Sequence, residues 1–255
     1  MRVACGSYSD VGRRRESNED NYCINNGEGL YVVADGMGGH AAGEVASQVA
    51  VDTIEEFIKL TGADEEITWP YGIDESLSLN GNRLKTSIRF ANRKLLEKTR
   101  ERADYEGMAT TVVAVLVKND RADVAHVGDS RVYLIRDGAI RCLTSDHSWV
   151  NEQVLSGVID SEQAKTHPLR NVVTRALGGR EELEVDVQDM KLKHGDSLLL
   201  CSDGLTSMVG DEDILKIVSL DRSDVDRAAR RLVEAANRSG GEDNITAILL
   251  SFQDE

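Results

Sequence analysis

Between residues 110 and 143, four segments rich in β-branched residues (110–117, 124–127, 132–135 and 140–143) follow one another with no helical stretch between them. Short runs of this composition read as strands. Strands joined by connections too short for a crossover must pair antiparallel. Asn119-Asp120 and Asp137-Gly138 supply two of the turns, the second a hairpin signature. Similar runs stand at 31–34, 197–201 and 245–250.

Helical periodicity gathers elsewhere. Ala46, Val49, Ala50, Thr53, Ile54, Phe57 and Ile58 fall on one helix face, and Leu84, Ile88, Ala91 and Leu95 on another. Val225, Ala228, Ala229, Leu232, Val233 and Ala236 form a third stripe, with Ser223 and Asp226 reading as its start, and 214–218 is a shorter candidate. Clustered strands and paired helices exclude a strictly alternating βαβ order. They predict an α+β fold of antiparallel sheet with helices packed outside. The chain, 255 residues with 2 prolines, has no Pro-rich linker, so a single domain over 1–255 is expected. The acidic, aperiodic stretch 61–82 reads as a surface loop and 146–170 as a flap.

The chain carries 45 Asp and Glu against 30 Lys and Arg, a net charge of −15, which makes it a poor nonspecific partner for nucleic acid or anionic membrane. Its 4 cysteines form no Cys-x-x-Cys, so neither a zinc site nor a disulfide framework is indicated, and Cys201 reads as a buried thiol. With no 18-residue apolar stretch and no signal-peptide pattern at its start, the chain is expected to be cytoplasmic.

The chemistry gathers where strands end. Val33-Ala34 runs into Asp35-Gly36, Val127 into Gly128-Asp129, and Cys201 into Ser202-Asp203-Gly204; Asp243 opens the last strand, and Glu19-Asp20 forms a further acidic pair. Asp-Gly is a common turn dipeptide, and Asp137-Gly138 needs no other reading. The others end strands that read as buried, where an unpaired carboxylate is costly. Two carboxylates about 4 Å apart repel by about 4 kcal/mol at an effective dielectric near 20. Several gathered together therefore require cations, and an all-oxygen set suits Mg²⁺ or Mn²⁺ rather than zinc.

Six motifs now stand in order: Arg15-x-x-Asn18-Glu19-Asp20, Val33-Ala34-Asp35-Gly36-Met37-Gly38-Gly39-His40, Gly107-Met108-Ala109-Thr110-Thr111, Val127-Gly128-Asp129-Ser130-Arg131, Ser202-Asp203-Gly204-Leu205 and Gly241-Glu242-Asp243-Asn244-Ile245-Thr246. Over residues 7–250 the chain resembles the metal-dependent Ser/Thr protein phosphatases of the PPM (type 2C) family, in their compact bacterial branch. The resemblance implies a four-layer α-β-β-α sandwich, two packed antiparallel sheets flanked by helices. It implies two Mn²⁺ or Mg²⁺ ions, with Asp35 bridging both, the Gly36 carbonyl on one, and Glu19, Asp203 and Asp243 on the other. Asp20 would order water from behind, Asp129 with Asp203 would serve a weaker third ion, and Arg15 would grip the substrate phosphate.

The implied reaction is hydrolysis of phosphoserine and phosphothreonine on proteins by a metal-bridging water, opposing a cognate Ser/Thr kinase. The expected partners are phosphoproteins and that kinase, with no nucleic acid, no membrane insertion and a monomeric state. Where other branches place a general-acid His directly after Asp-Gly, this chain has Met37, which leaves His40 as the candidate. His147, Arg175, Trp69 and Trp149 are expected to be structural. The competing readings are a phosphoprotein-binding pseudophosphatase, opposed by the full set of acids and Arg15, and a two-metal nuclease, opposed by the charge.

Overall fold

A computed structural model describes residues 1–38, 42–63 and 69–253. In chain order it contains β1 (Arg2–Asp10), β2 (Asp20–Asn25), β3 (Leu30–Met37), α1 (Ala42–Ala63), α2 (Leu79–Glu101), β4 (Ala109–Thr110), β5 (Val112–Lys118), β6 (Arg121–Val127), β7 (Arg131–Arg136) and β8 (Ala139–Cys142). Then come α3 (Trp149–Leu155), α4 (Ser161–Thr166), β9 (Asp186–Lys191), β10 (Ser197–Cys201), α5 (Asp203–Thr206), α6 (Asp211–Leu220), α7 (Val225–Arg238) and β11 (Ile245–Gln253). One sheet runs β1-β11-β10-β7-β8 and the other β2-β3-β5-β6-β9, with β4 paired to β3. Each pairing is antiparallel, as the clustered strands predict.

Strand periodicity builds the layers. In β3, Tyr31 and Val33 enter the core between the sheets, together with Val113, Val115, Leu198, Leu200, Ile248 and Leu250. Leu30, Val32 and Ala34 face the other way, onto Ile54, Ile58, Leu84 and Ile88 of α1 and α2. Likewise Leu199 and Cys201 of β10 face Leu232, Val233 and Ala236 of α7. These strands read as unbroken apolar runs because both of their faces are covered. At roughly 1.5–3 kcal/mol per fully buried large aliphatic side chain, the three cores supply the main drive for this stacking. The order is α1/α2, sheet, sheet, α6/α7, the expected sandwich. The Asp137-Gly138 hairpin is present, with left-handed φ of 53° and 77°.

Some boundaries differ. α7 is capped by Asp224, whose side chain accepts from Arg227 N, rather than by Ser223. The 61–82 loop shrinks, because α1 continues to Ala63 and Ser78 caps α2. A buried arginine ties the two helix ends there: Arg83 donates to Ile58 O at 2.6 Å and to Thr61 Oγ1 at 2.9 Å. Such polar packing leaves no hydrophobic period. Residues 64–68 of that stretch lie outside the described ones. Residues 146–170 hold α3 and α4, which are 7 and 6 residues long with no buried residue, too short and too exposed to show a period. β1, β2 and β9 carry no strand signal in the sequence, since their polar and apolar residues mix without alternation.

Candidate metal centre

The strand register brings the acids together at one end of both sheets. Asp20, first residue of β2, lies directly opposite Asp35 near the end of β3. Glu19 precedes β2, Asp129 follows β6, Asp203 opens α5 just after β10, and Asp243 stands before β11. Gly36 is required by close approach: a Cβ there would overlap the backbone of Gly43 and lie 2.6 Å from Glu19 O. Gly43, in the first turn of α1, has no Cβ because one would overlap the Glu19 carboxylate.

Neutral side chains fix the backbone around these acids. Thr111 Oγ1 accepts from Asp35 N at 3.2 Å, Thr111 N donates to Asp35 O at 2.9 Å, and Thr110 Oγ1 donates to the same oxygen at 2.8 Å. Thr111 Oγ1 also meets Ser130 Oγ at 2.7 Å, which links the Asp35 strand to the loop of Asp129. Asn244 joins the first and last site segments. Its Oδ1 accepts from Glu19 N at 2.8 Å, and its Nδ2 donates to Val11 O and Ser17 O, each at 2.9 Å. Ser202 Oγ donates to Asp20 Oδ2 at 2.8 Å, and Ser47 Oγ donates to Glu19 O at 2.6 Å. Sequence pattern alone assigns none of these six residues a role. The available signal was position, since Thr110, Thr111, Ser130, Ser202 and Asn244 each lie within the motifs, beside an acid or paired to one.

Electrostatics shows the cost of the gathering. Burial, then the charges of Asp20, Asp203, Asp129 and Asp243, pushes the Asp35 carboxyl well above its ordinary range. Burial raises Asp20 to about 7 against hydrogen bonds from Thr246 and Ser202, with Asp203 and Asp243 adding to the rise. Asp129 is likewise raised to about 7, by burial and then by Asp203 and Asp146. Asp203 rises through burial and Asp243, and Glu19 through burial despite Arg15. Arg15 Nη2 donates to Asp243 Oδ2 at 2.7 Å, its side chain half-exposed. Asp146 is neutralised separately by a two-pronged bond from Arg131, at 2.8 and 2.6 Å.

The acids fit divalent cations. Asp20 Oδ1 and Asp203 Oδ1 are buried acceptors with no hydrogen-bond partner among the described residues. Orphaned, hard, anionic oxygens beside a glycine-lined backbone are the donor set of Mg²⁺ or Mn²⁺. His40 lies outside the described residues. A surface groove of about 830 Å³ beside α2 contains none of these acids.

A second cluster reads differently. His126, His147 and Asp186 offer ligand atoms within 4.8 Å of one another. Arg175 Nη1, however, lies 3.0 Å from His147 Nε2 and 2.8 Å from Asp186 Oδ1, so a permanent cation already balances that carboxylate. His147 Nδ1 accepts from Gly128 N at 3.0 Å, and the His126 ring stacks on it at 4.7 Å. His147 therefore pins the Asp129 loop, while Ser148 caps α3. Arg175 is acid-paired, as expected, and Trp149 stacks on His167 at 4.8 Å.

Comparison with known proteins gives concordant results. The family described as Protein phosphatase 2C matches residues 12–249. The chain is 39% identical to "Serine/threonine phosphatase stp" of Listeria welshimeri over 249 residues, 95% of this chain and 93% of that protein. It is 36% identical to "Protein phosphatase PhpP" of Streptococcus pneumoniae over 250 residues, covering 97% and 96%. The Mycobacterium tuberculosis serine/threonine phosphatase PstP/Ppp superposes with a TM-score of 0.87 at 36% identity, covering 99% of each chain. The PstP catalytic domain in complex with 2 manganese ions gives 0.83 at 35% identity, again over 99% of each chain.

Proposed function

The chain belongs to the protein phosphatase 2C family, and from that premise we propose that it hydrolyses phosphoserine and phosphothreonine on proteins at a dinuclear Mn²⁺ or Mg²⁺ centre, opposing a Ser/Thr protein kinase. Glu19, Asp35, the Gly36 carbonyl, Asp203 and Asp243 would hold the two ions, and Asp129 with Asp203 a third. Ions so held act as Lewis acids on phosphoryl oxygens and generate hydroxide from water near neutral pH. Arg15 binds the substrate phosphate through its planar fork and offsets charge on the transferring group. Asp20, behind the ligands and bonded to Ser202, accepts a hydrogen bond from water and orients it.

The observation that carries this reading is the pair of orphaned carboxylate oxygens, Asp20 Oδ1 and Asp203 Oδ1, inside a cluster of six acids. A cysteinyl-phosphate route is disfavoured, because burial pushes the Cys5 and Cys23 thiols up to about 12 and raises Cys142 and Cys201 as well. The family and the register together support one catalytic unit spanning the chain. The test is phosphate release from a phosphothreonine peptide, with Mn²⁺ and with chelator, beside a phosphotyrosine peptide. Mn²⁺-dependent release from phosphothreonine is expected. Release that survives chelation would remove the metals from the reaction, and preference for phosphotyrosine would overturn the substrate class.

A further inference from the structure

Three arginines stand in a row, Arg13, Arg14 and Arg15, in a chain whose net charge is −15. Arg15 alone of the three has a carboxylate partner, Asp243. The side chains of Arg13 and Arg14 are exposed and make no ion pair or hydrogen bond with the described residues. Elsewhere exposed arginines such as Arg93, Arg121 and Arg227 do hold carboxylates. Glu16, beside the row in sequence, and Glu242, next to Asp243, are engaged by neither. Two desolvation-tolerant, fork-shaped cations are thus left open beside the phosphate-gripping residue.

Their loop is fixed. Gly12 N donates to Asp10 Oδ1 at 2.9 Å, and Asn237 Nδ2 donates to the same oxygen at 3.0 Å. Arg13 N donates to Gly241 O at 2.7 Å, and Asn244 holds Val11 O and Ser17 O. Gly241 has a φ of 56°, and a Cβ on it would lie 3.0 Å from Arg13 Cγ, so the Arg13 stem crosses the segment that leads into Asp243. An extended peptide advances about 3.3 Å per residue. Arg14 and Arg13 stand one and two residues from Arg15, so a phosphoryl group held at Arg15 leaves the substrate residues a few places away within the reach of a long guanidinium side chain.

We propose that Arg13 and Arg14 read the flank of the substrate, selecting phosphoserine and phosphothreonine segments that carry a further anionic group within a few residues of the phosphate removed. This rests on the reading of Arg15 given above. The anionic group is a carboxylate or a second phosphoryl group, since both match a guanidinium fork. Because such contacts form equally in the bound substrate and the transition state, they act on KM and encounter rate rather than kcat.

The test is steady-state phosphate release at saturating Mn²⁺ from three phosphothreonine peptides of one core. One has neutral flanks, one glutamate flanks, and one a flanking phosphonate that cannot be hydrolysed. The native chain is expected to favour at least one anionic peptide over the neutral one by about three- to tenfold in kcat/KM, through KM, with the ratio shrinking as salt rises. The arm that gains identifies the group. In Arg13→Ala/Arg14→Ala the ratio is expected to fall to near one, and in Arg13→Glu/Arg14→Glu below one. Each ratio is taken within one protein sample, so a loss of folded protein cancels. A native ratio at or below one, or a ratio unchanged in the alanine pair, overturns the proposal. If the native chain with Mn²⁺ leaves even the neutral peptide intact, the catalytic reading itself fails and the flank site falls with it.

Discussion

At Asp203 the fold and the proposed chemistry meet in one side chain. As the first residue of α5 it follows β10 directly, so its carboxylate is placed by the sheet and by Ser202, whose hydroxyl reaches across to Asp20. Its Oδ1 is buried and unpartnered, a state relieved by a proton or by a cation. Asp203→Asn keeps the shape and removes one anionic oxygen from the proposed ion-binding set. We expect phosphate release to fall on the order of 10²-fold or more. The metal-free variant should melt at or above the parent's temperature, because one repulsive charge is gone. Near-parental turnover would take Asp203 out of the reaction. A lower metal-free Tm would contradict the repulsion inferred from its raised pKa.

At the scale of elements, close approach sets the layers. α7 lies against β1 at Gly6, where a Cβ would overlap the backbone of Val225 and Asp226. That contact fixes the height of α7 over the sheet whose β11 begins beside Asp243. Gly6→Ala must push the helix off or bend the strand, at a cost of about 1–3 kcal/mol. At roughly 2–4 °C per kcal/mol for a chain of this size, thermal melting should report a drop of several degrees. An unchanged Tm would mean that β1 and α7 do not touch in this way. His147 works similarly between a loop and a strand end, its ring accepting from Gly128 N beside Asp129.

For the whole molecule, the acids make stability depend on metal and pH together. In the metal-free protein Asp20 and Asp129 are raised to about 7, and Asp35 is raised well above the ordinary carboxylate range. A raised carboxyl binds protons more tightly in the folded state than in the unfolded one. Its contribution is therefore fully present below the ordinary carboxylate range near 4 and is lost as pH rises through about 7. Divalent ions replace those protons and need the ionised ligands. Mn²⁺ should thus raise Tm, by the equivalent of about 2.7 kcal/mol at a hundredfold excess over Kd, and the rise should be larger at pH 8 than at pH 6. No shift at millimolar Mn²⁺, or a larger one at pH 6, would contradict a carboxylate-held metal centre.

The sequence determined the buried strands, the helical stripes and the acids that end strands, because each is a local pattern written within a few residues. β3 and α7 were legible for that reason, whereas β1, β2 and the short α3 and α4 carry no such pattern. Arg15, Glu19, Asp35, Asp203 and Asp243 could be singled out by motif, but nothing local says that residues more than 200 positions apart share one cluster. Register decided that: Asp20 stands opposite Asp35, and Asn244 ties Glu19 to the end of the chain. Only tertiary structure assigns Asn244, Thr111 and Ser202 their partners, since a hydrogen bond between distant segments exists only once both sheets have formed.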